Sequence, residues 1–206
     1  HWDSDFRGNV TRKNGGRMLS MLTSAVSILR PQLLIDGESP SIVDISSAQP
    51  WMMAQLTDDS ALLCDVLAGT FYSQFPLGKP PKKNGKHLSK KEWQKHAYGR
   101  VFLGPKFMTD NPVAKTRKHV AAKYPKAWKW SVELRKNGGS PALELQTEEA
   151  RFVLDHVLKR LIDEGKICAP IHDAIMCKAS EADYVQSVFK EEALKLYGTD
   201  ILTHIE

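Results

Sequence analysis

Two aspartates stand where a carboxylate is costly. Asp44 lies inside the β-branched run Ile42-Val43-Asp44-Ile45, and Asp173 follows His172 between the apolar runs Ile167–Ile171 and Ala174–Cys177. A carboxylate in a buried strand is destabilising unless it is paired or bound to a metal. Two such acids at neighbouring strand ends make a hard, oxygen-rich site suited to Mg²⁺. A pair of divalent ions about 3.5–4 Å apart can activate a 3′-hydroxyl and stabilise a leaving pyrophosphate. The competing reading of each aspartate is a cap or turn residue. A second constellation is cationic: Lys91, Lys95 and Tyr98 recur at i, i+4 and i+7, so a helix there aims all three at one ligand.

The elements that must position these groups can be read locally. Pro40-Ser41 leads into a strand over Ile42–Ile45, and Pro50 marks the start of a helix through Leu56. A second helix is expected from about Ser60 to Phe75, from the spacing of Leu62, Leu63, Val66, Leu67 and Tyr72. Residues 76–87 are a Pro-, Gly- and Lys-rich loop. Ser89 with Glu92 three residues on forms a capping-box pattern that opens the helix carrying Lys91 and Lys95. Residues 111–135 read as helical and basic, and Asn137-Gly138-Gly139-Ser140-Pro141 breaks them. A long amphipathic helix is expected from about Ala142 to Glu164, with Leu145, Phe152, Val153, Val157 and Leu161 on its apolar side and Gly165 ending it. A hairpin then turns at His172-Asp173, which sets Cys168 opposite Cys177 as packed, reduced thiols. A last helix covers about Glu181 to Tyr197.

Charge is distributed unevenly. The net charge of +5 conceals a segment from Lys79 to Lys136 with seventeen basic residues against three acids, a balance of +14, which leaves −9 for the remainder. Such asymmetry suits a polyanionic partner; the alternative is a solvated lysine-rich face. Trp93, Trp128 and Trp130 interleave with these bases as stacking groups for single strands or as core residues. Three cysteines without zinc-ligand spacing, no signal peptide and no membrane span point to a reduced, cytoplasmic protein. The chain opens His1-Trp2-Asp3-Ser4-Asp5 without an initiator methionine and reads as a fragment, with further sequence expected upstream.

Taken in order, these elements resemble family A DNA polymerases over about residues 15–195. Asp44-Ile45-Ser46-Ser47-Ala48-Gln49 followed by Trp51–Leu56 is similar to motif A, and Lys91-x3-Lys95-x8-Gly104 to the motif B fingers helix. Ile171-His172-Asp173-Ala174-Ile175 resembles the motif C turn, and Gly16-Arg17-Met18-Leu19-Ser20 the element preceding motif A. The resemblance implies an α/β fold: a palm with a small antiparallel sheet (residues 1–58 and 137–206) and helical, basic fingers (59–136), with the thumb absent or reduced. The family's thumb precedes the Gly-Arg element, where only about fifteen residues stand here. It is therefore expected upstream, or a partner subunit supplies the grip on duplex.

By the same resemblance the chain is a DNA-directed DNA polymerase-like nucleotidyltransferase, of a phage or mobile element and open to a primase-like role. It would take DNA template–primer and nucleoside triphosphates, with two Mg²⁺ ions or Mn²⁺ in their place. Asp44 and Asp173 would be the metal carboxylates and the Ile45 carbonyl a further ligand. Lys91, Lys95, Gln49 and Ile45 would meet the nucleotide; Arg17, Gln146 and His172 would meet the nucleic acid. The rival is a non-catalytic palm that binds nucleic acid within a replication complex.

Departures from the family pattern are specific. Lys91 replaces the arginine that opens motif B and gives up bidentate phosphate contact. Leu103 replaces a tyrosine, Gly99 stands in an aromatic register beside Tyr98, Gln49 replaces the sugar-discriminating glutamate, and Ala174 replaces an acid. Tolerance of ribonucleotides is expected.

Overall fold

A computed structural model describes residues 33–75, 82–83, 86–104 and 111–206, with the side chains of 82–83, 86–87 and 111–115 left aside. The strands in chain order are β1 (Pro40–Ile45), β2 (Lys82–Lys83), β3 (Lys86–His87), β4 (Ala169–Ile171), β5 (Ala174–Lys178) and β6 (Thr203–Ile205). The helices are α1 (Ala48–Thr57), α2 (Ser60–Leu67), α3 (Lys90–Tyr98), α4 (Asn111–Lys123), α5 (Pro125–Lys136), α6 (Pro141–Ala150), α7 (Lys159–Asp163) and α8 (Ala182–Tyr197). The chain forms two compact units: one runs to Gln49 and resumes over Leu145–Glu206, the other is Pro50–Glu144.

The first unit is organised by a four-stranded antiparallel sheet in the order β4-β5-β1-β6. In β1 the side chains alternate: Val43 and Ile45 are fully buried, while Ile42 and Asp44 lie on the opposite, partly open face. Helix α8 packs on β1 and β5. It buries Val185, Val188, Phe189 and Ala193, and each of the two valines and the phenylalanine contributes roughly 1.5–3 kcal/mol on leaving water. On the other face Ile35, Ile42, Ala169, Ile171 and Met176 cluster. Ile35 is held by a tight turn whose Asp36 and Gly37 both take positive φ, 53° and 82°, closing paired backbone bonds with Glu38.

The hairpin between β4 and β5 has the expected register. Ala169 faces Met176, Pro170 faces Ile175 and Ile171 faces Ala174, leaving His172-Asp173 as the two-residue turn. Such turns need positive φ, and His172 supplies it at 57°, a conformation uncommon for a residue with a Cβ. Pro170 is tolerated because β4 is an edge strand. Cys168 and Cys177 are free thiols, and burial pushes them up to about 11 and about 12. The helix expected over 142–164 is present as α6, a π-helical stretch at Arg151–Leu158, and α7, with all five expected apolar residues buried. Gly165 ends it at φ 76°.

The second unit holds an aromatic core. Phe71 stacks edge-on with Phe75 and Tyr98 at ring separations of 5.2 and 5.4 Å, and Tyr98 touches Phe102 at 5.8 Å. Buried Asp59 serves two helices at once. Its Oδ1 accepts from Leu62 N–H to cap α2, and its Oδ2 accepts from Lys126 and Ala127 N–H in the first turn of α5. Tyr124 donates its hydroxyl to Asp65 at 2.7 Å. Burial opposes ionisation of Asp65, but hydrogen bonds from Lys123, Tyr124 and Thr70 outweigh it and hold the carboxyl below the usual range.

Three expectations are corrected. The helix expected over Ser60–Phe75 stops at Leu67, because Gly69 takes φ 68° and only a 3₁₀ turn, Phe71–Gln74, follows. Tyr98 does not share a ligand-facing surface with Lys91 and Lys95: the two lysines are exposed, whereas Tyr98 is buried in the aromatic core. Within the loop expected over 76–87, Lys82–Lys83 and Lys86–His87 pair as a short ladder. Trp93 is buried, and Trp128 lies against Phe102, so both serve packing. Among the described residues no helix is long and apolar enough to cross a membrane.

Candidate metal centre

The site grows from the central position of β1. Asp44 faces Ala174 of β5 on one side and His204 of β6 on the other. The β4–β5 turn then swings back beside the end of β1, where the Ile45 N–H donates to the Asp173 carbonyl at 3.3 Å. Asp173 is thereby close enough for its charge to act on Asp44. Burial first, and the Asp173 charge second, push the Asp44 carboxyl up to about 6, with the nearby His204 opposing them. A cation bound beside Asp44 would offset that cost.

On its other side Asp44 meets two residues that the local reading missed. Side chains alternate along β6, so His204 and Glu206 emerge on one face. His204 Nε2 lies 3.6 Å from Asp44 Oδ2 and 3.2 Å from Glu206 Oε1, and Nδ1 lies 3.3 Å from Ser46 Oγ. Asp44, His204 and Glu206 each offer a ligand atom, all within 4.8 Å of one another, the one such group among the described residues. Their signal in the sequence was the polar–apolar alternation Thr203-His204-Ile205-Glu206, too short to read as a strand without its partner.

The remaining site residues stand on other elements. His172 is exposed at the hairpin turn, Gln49 is half-buried in the first turn of α1, and Gln146 is half-buried on α6. Lys91 and Lys95 stand on α3 in the second unit, the Lys95 ammonium 5.9 Å from the Tyr72 ring centre. Arg17 and the rest of Gly16–Ser20 lie outside the described residues. The structure thus joins Asp44, Ile45 and Asp173 and adds Ser46, His204 and Glu206.

The small antiparallel four-stranded sheet combined with helices is consistent with a polymerase-like α/β fold. Among solved structures the chain is similar to the POL domain of Pol1 from M. smegmatis, solved in complex with DNA primer-template and dNTP. The TM-score is 0.58 at 12% identity, and the match covers 93% of this chain and 45% of that one. No protein-family model matches the sequence, and no curated protein matches it.

Proposed function

We propose that this chain catalyses template-directed nucleotidyl transfer to a nucleic-acid 3′ end, as a DNA polymerase of the family A kind from a phage or mobile element. The observation that carries the proposal is the β1–β5 pairing, which sets Asp44 beside the Asp173 turn in a polymerase-like fold. The palm is assigned to residues 1–58 and 137–206 and the fingers to 59–136.

The donors fit a divalent cation. They are oxygens, as Mg²⁺ requires, and the charge of Asp173 acts with burial to raise the Asp44 carboxyl, against the opposing pull of His204. Asp44, Asp173 and the Ile45 carbonyl would hold the metal. A bound divalent ion there supplies Lewis-acid charge to the attacking hydroxyl and the leaving pyrophosphate. The protein's own part is placement. Lys91 and Lys95, one helical turn apart and exposed, neutralise adjacent phosphates of the incoming nucleotide. Gln49 contacts its sugar, and His172 lies by the primer end. Arg17 and Gln146 contact the minor groove, where acceptors shared by all base pairs keep readout sequence-tolerant.

Incorporation assays with primed and unprimed single strands, dNTPs or rNTPs, and Mg²⁺ or Mn²⁺ test this. Asp44→Ala and Asp173→Ala are expected to lower extension by at least about a thousandfold, with nucleic-acid binding largely kept. Binding by the unaltered chain without extension on any template would establish instead a non-catalytic, nucleic-acid-binding palm.

A further inference from the structure

The His204 ring is held in a way that a salt bridge does not account for. Two carboxylate oxygens, Asp44 Oδ2 and Glu206 Oε1, converge on the same nitrogen, Nε2, at 3.6 and 3.2 Å. A ring nitrogen carries at most one hydrogen and can satisfy only one of them well. The other nitrogen, Nδ1, is 3.3 Å from Ser46 Oγ. Ser46 is itself fixed, its N–H donating to the Leu202 carbonyl at 2.8 Å beside the start of β6. If Nδ1 gives its proton to Ser46 Oγ, the Nε2 lone pair points into the space between the two carboxylates. A hydrogen bond on one nitrogen with the other left to a metal is the usual arrangement of a ligating histidine.

Donors about 2.0–2.2 Å from a common ion, at angles between octahedral and tetrahedral, lie roughly 2.8–3.6 Å apart; the two distances from His204 Nε2, 3.2 and 3.6 Å, fall in that range, and the three ligand atoms all lie within 4.8 Å of one another. Among the described residues the ion pairs of Asp44 and Glu206 run to the His204 ring and to no lysine or arginine.

We propose that Asp44, His204 and Glu206, with Ser46 orienting the imidazole, form a divalent transition-metal site that takes Mn²⁺ or Zn²⁺ ahead of Mg²⁺. One imidazole donor among carboxylates is what shifts preference from Mg²⁺ to first-row transition ions, which accept a nitrogen ligand more readily. The site shares Asp44 with the nucleotidyl-transfer reading above but does not rest on it, since occupancy needs neither nucleotide nor nucleic acid.

Mn²⁺ binding to the chain, followed by electron paramagnetic resonance without nucleic acid, tests the proposal. One bound Mn²⁺ is expected, resistant to about a hundredfold excess of Mg²⁺, with spin-echo modulation from one imidazole nitrogen. His204→Ala is expected to abolish the modulation and, like Glu206→Gln, to weaken binding at least tenfold; Ser46→Ala weakens it by about tenfold through loss of orientation. Circular dichroism verifies that each variant is folded, and the nitrogen modulation of the unaltered chain is informative whatever the variants do. Absent Mn²⁺ binding, bound Mn²⁺ without nitrogen modulation, or modulation that survives in His204→Ala would each overturn it. Asp173→Asn separates the two readings: it should lose extension while keeping nitrogen-ligated Mn²⁺. A chain that never extends a primer yet binds Mn²⁺ through His204 refutes the polymerase reading alone.

Discussion

His204 lies directly across from Asp44 in the β1–β6 ladder, its Nε2 3.6 Å from the Asp44 carboxylate. On the opposite side Asp44 faces Ala174, which contributes no polar group. The carboxylates that act on Asp44 therefore come from the hairpin turn, as Asp173, and from the end of β6, as Glu206. The Asp44 side chain is 30% exposed, enough for an ion to reach it and little enough for its charge to be costly in the absence of one.

That cost can be measured. The Asp44 carboxyl sits at about 6 in the folded chain, against about 3.9 when unfolded. Below about pH 4 both states are protonated and nothing is lost. Between about 4 and 6 the unfolded state releases its proton first, so stability falls with rising pH, and above about 6 the loss is complete. Asp44→Asn is expected to stabilise the metal-free chain at pH 8 by about 1–2 kcal/mol, solvent screening having reduced the full effect, and to change little at pH 3.5. Urea unfolding with a chelator at both pH values checks this, and equal stabilities at pH 8 would count against it.

Asp59 organises the second unit. Its carboxylate accepts three backbone N–H bonds from two helices. Asp59→Ala should cost about 2–3 kcal/mol, more than an ordinary cap, because donors at both helix starts lose their partner. Thermal unfolding measures it. A loss below about 0.5 kcal/mol, the scale of a neutral surface change, would mean that water replaces the carboxylate.

If Lys91 and Lys95 hold the triphosphate, Lys95→Ala should raise the nucleotide KM by about tenfold or more, a lost charge-assisted contact. Lys91→Arg should lower the KM by restoring a bidentate fork. Steady-state extension kinetics at varied dNTP give both values. Unchanged KM in Lys95→Ala would make these lysines a solvated helix face.

Sugar selection forms a separate expectation. With Gln49 and Gly99 at positions where the resembled family carries a glutamate and an aromatic residue, ribonucleotides should be incorporated readily beside deoxynucleotides. Gln49→Glu should then shift the dNTP-to-rNTP ratio of kcat/KM toward dNTP by about tenfold or more, within the range a single contact discriminates. Competition assays on one template measure the ratio; strict dNTP selectivity in the unaltered chain would remove the premise.

Much of this architecture was legible locally. Ser89 and Glu92 form the capping box, with Ser89 N–H bonded to Glu92 and Glu92 N–H to Ser89, because that device needs only four consecutive residues. Gly165 ends its helix through a positive φ that glycine adopts freely. The hairpin register followed from a two-residue turn at His172-Asp173, since a turn's length dictates which residues face one another. Tyr98 was misread because helical spacing gives a direction but not what lies there; Phe71 and Phe75, more than twenty residues upstream, made that direction the core.

Sequence alone determined the types and the local frames: an acid within a β-branched strand, a His-Asp turn, two lysines one helical turn apart, and a basic middle of +14 within a chain of +5. Tertiary structure decided which of these meet. The pairing of β1 with β5 and β6 joins segments separated by most of the chain; Ser46 and His204, which share a hydrogen bond, are 158 positions apart. No short-range periodicity encodes such a pairing. It is selected by the burial of Val43 and Ile45 in the central strand, and that packing carries His204 and Glu206 to Asp44.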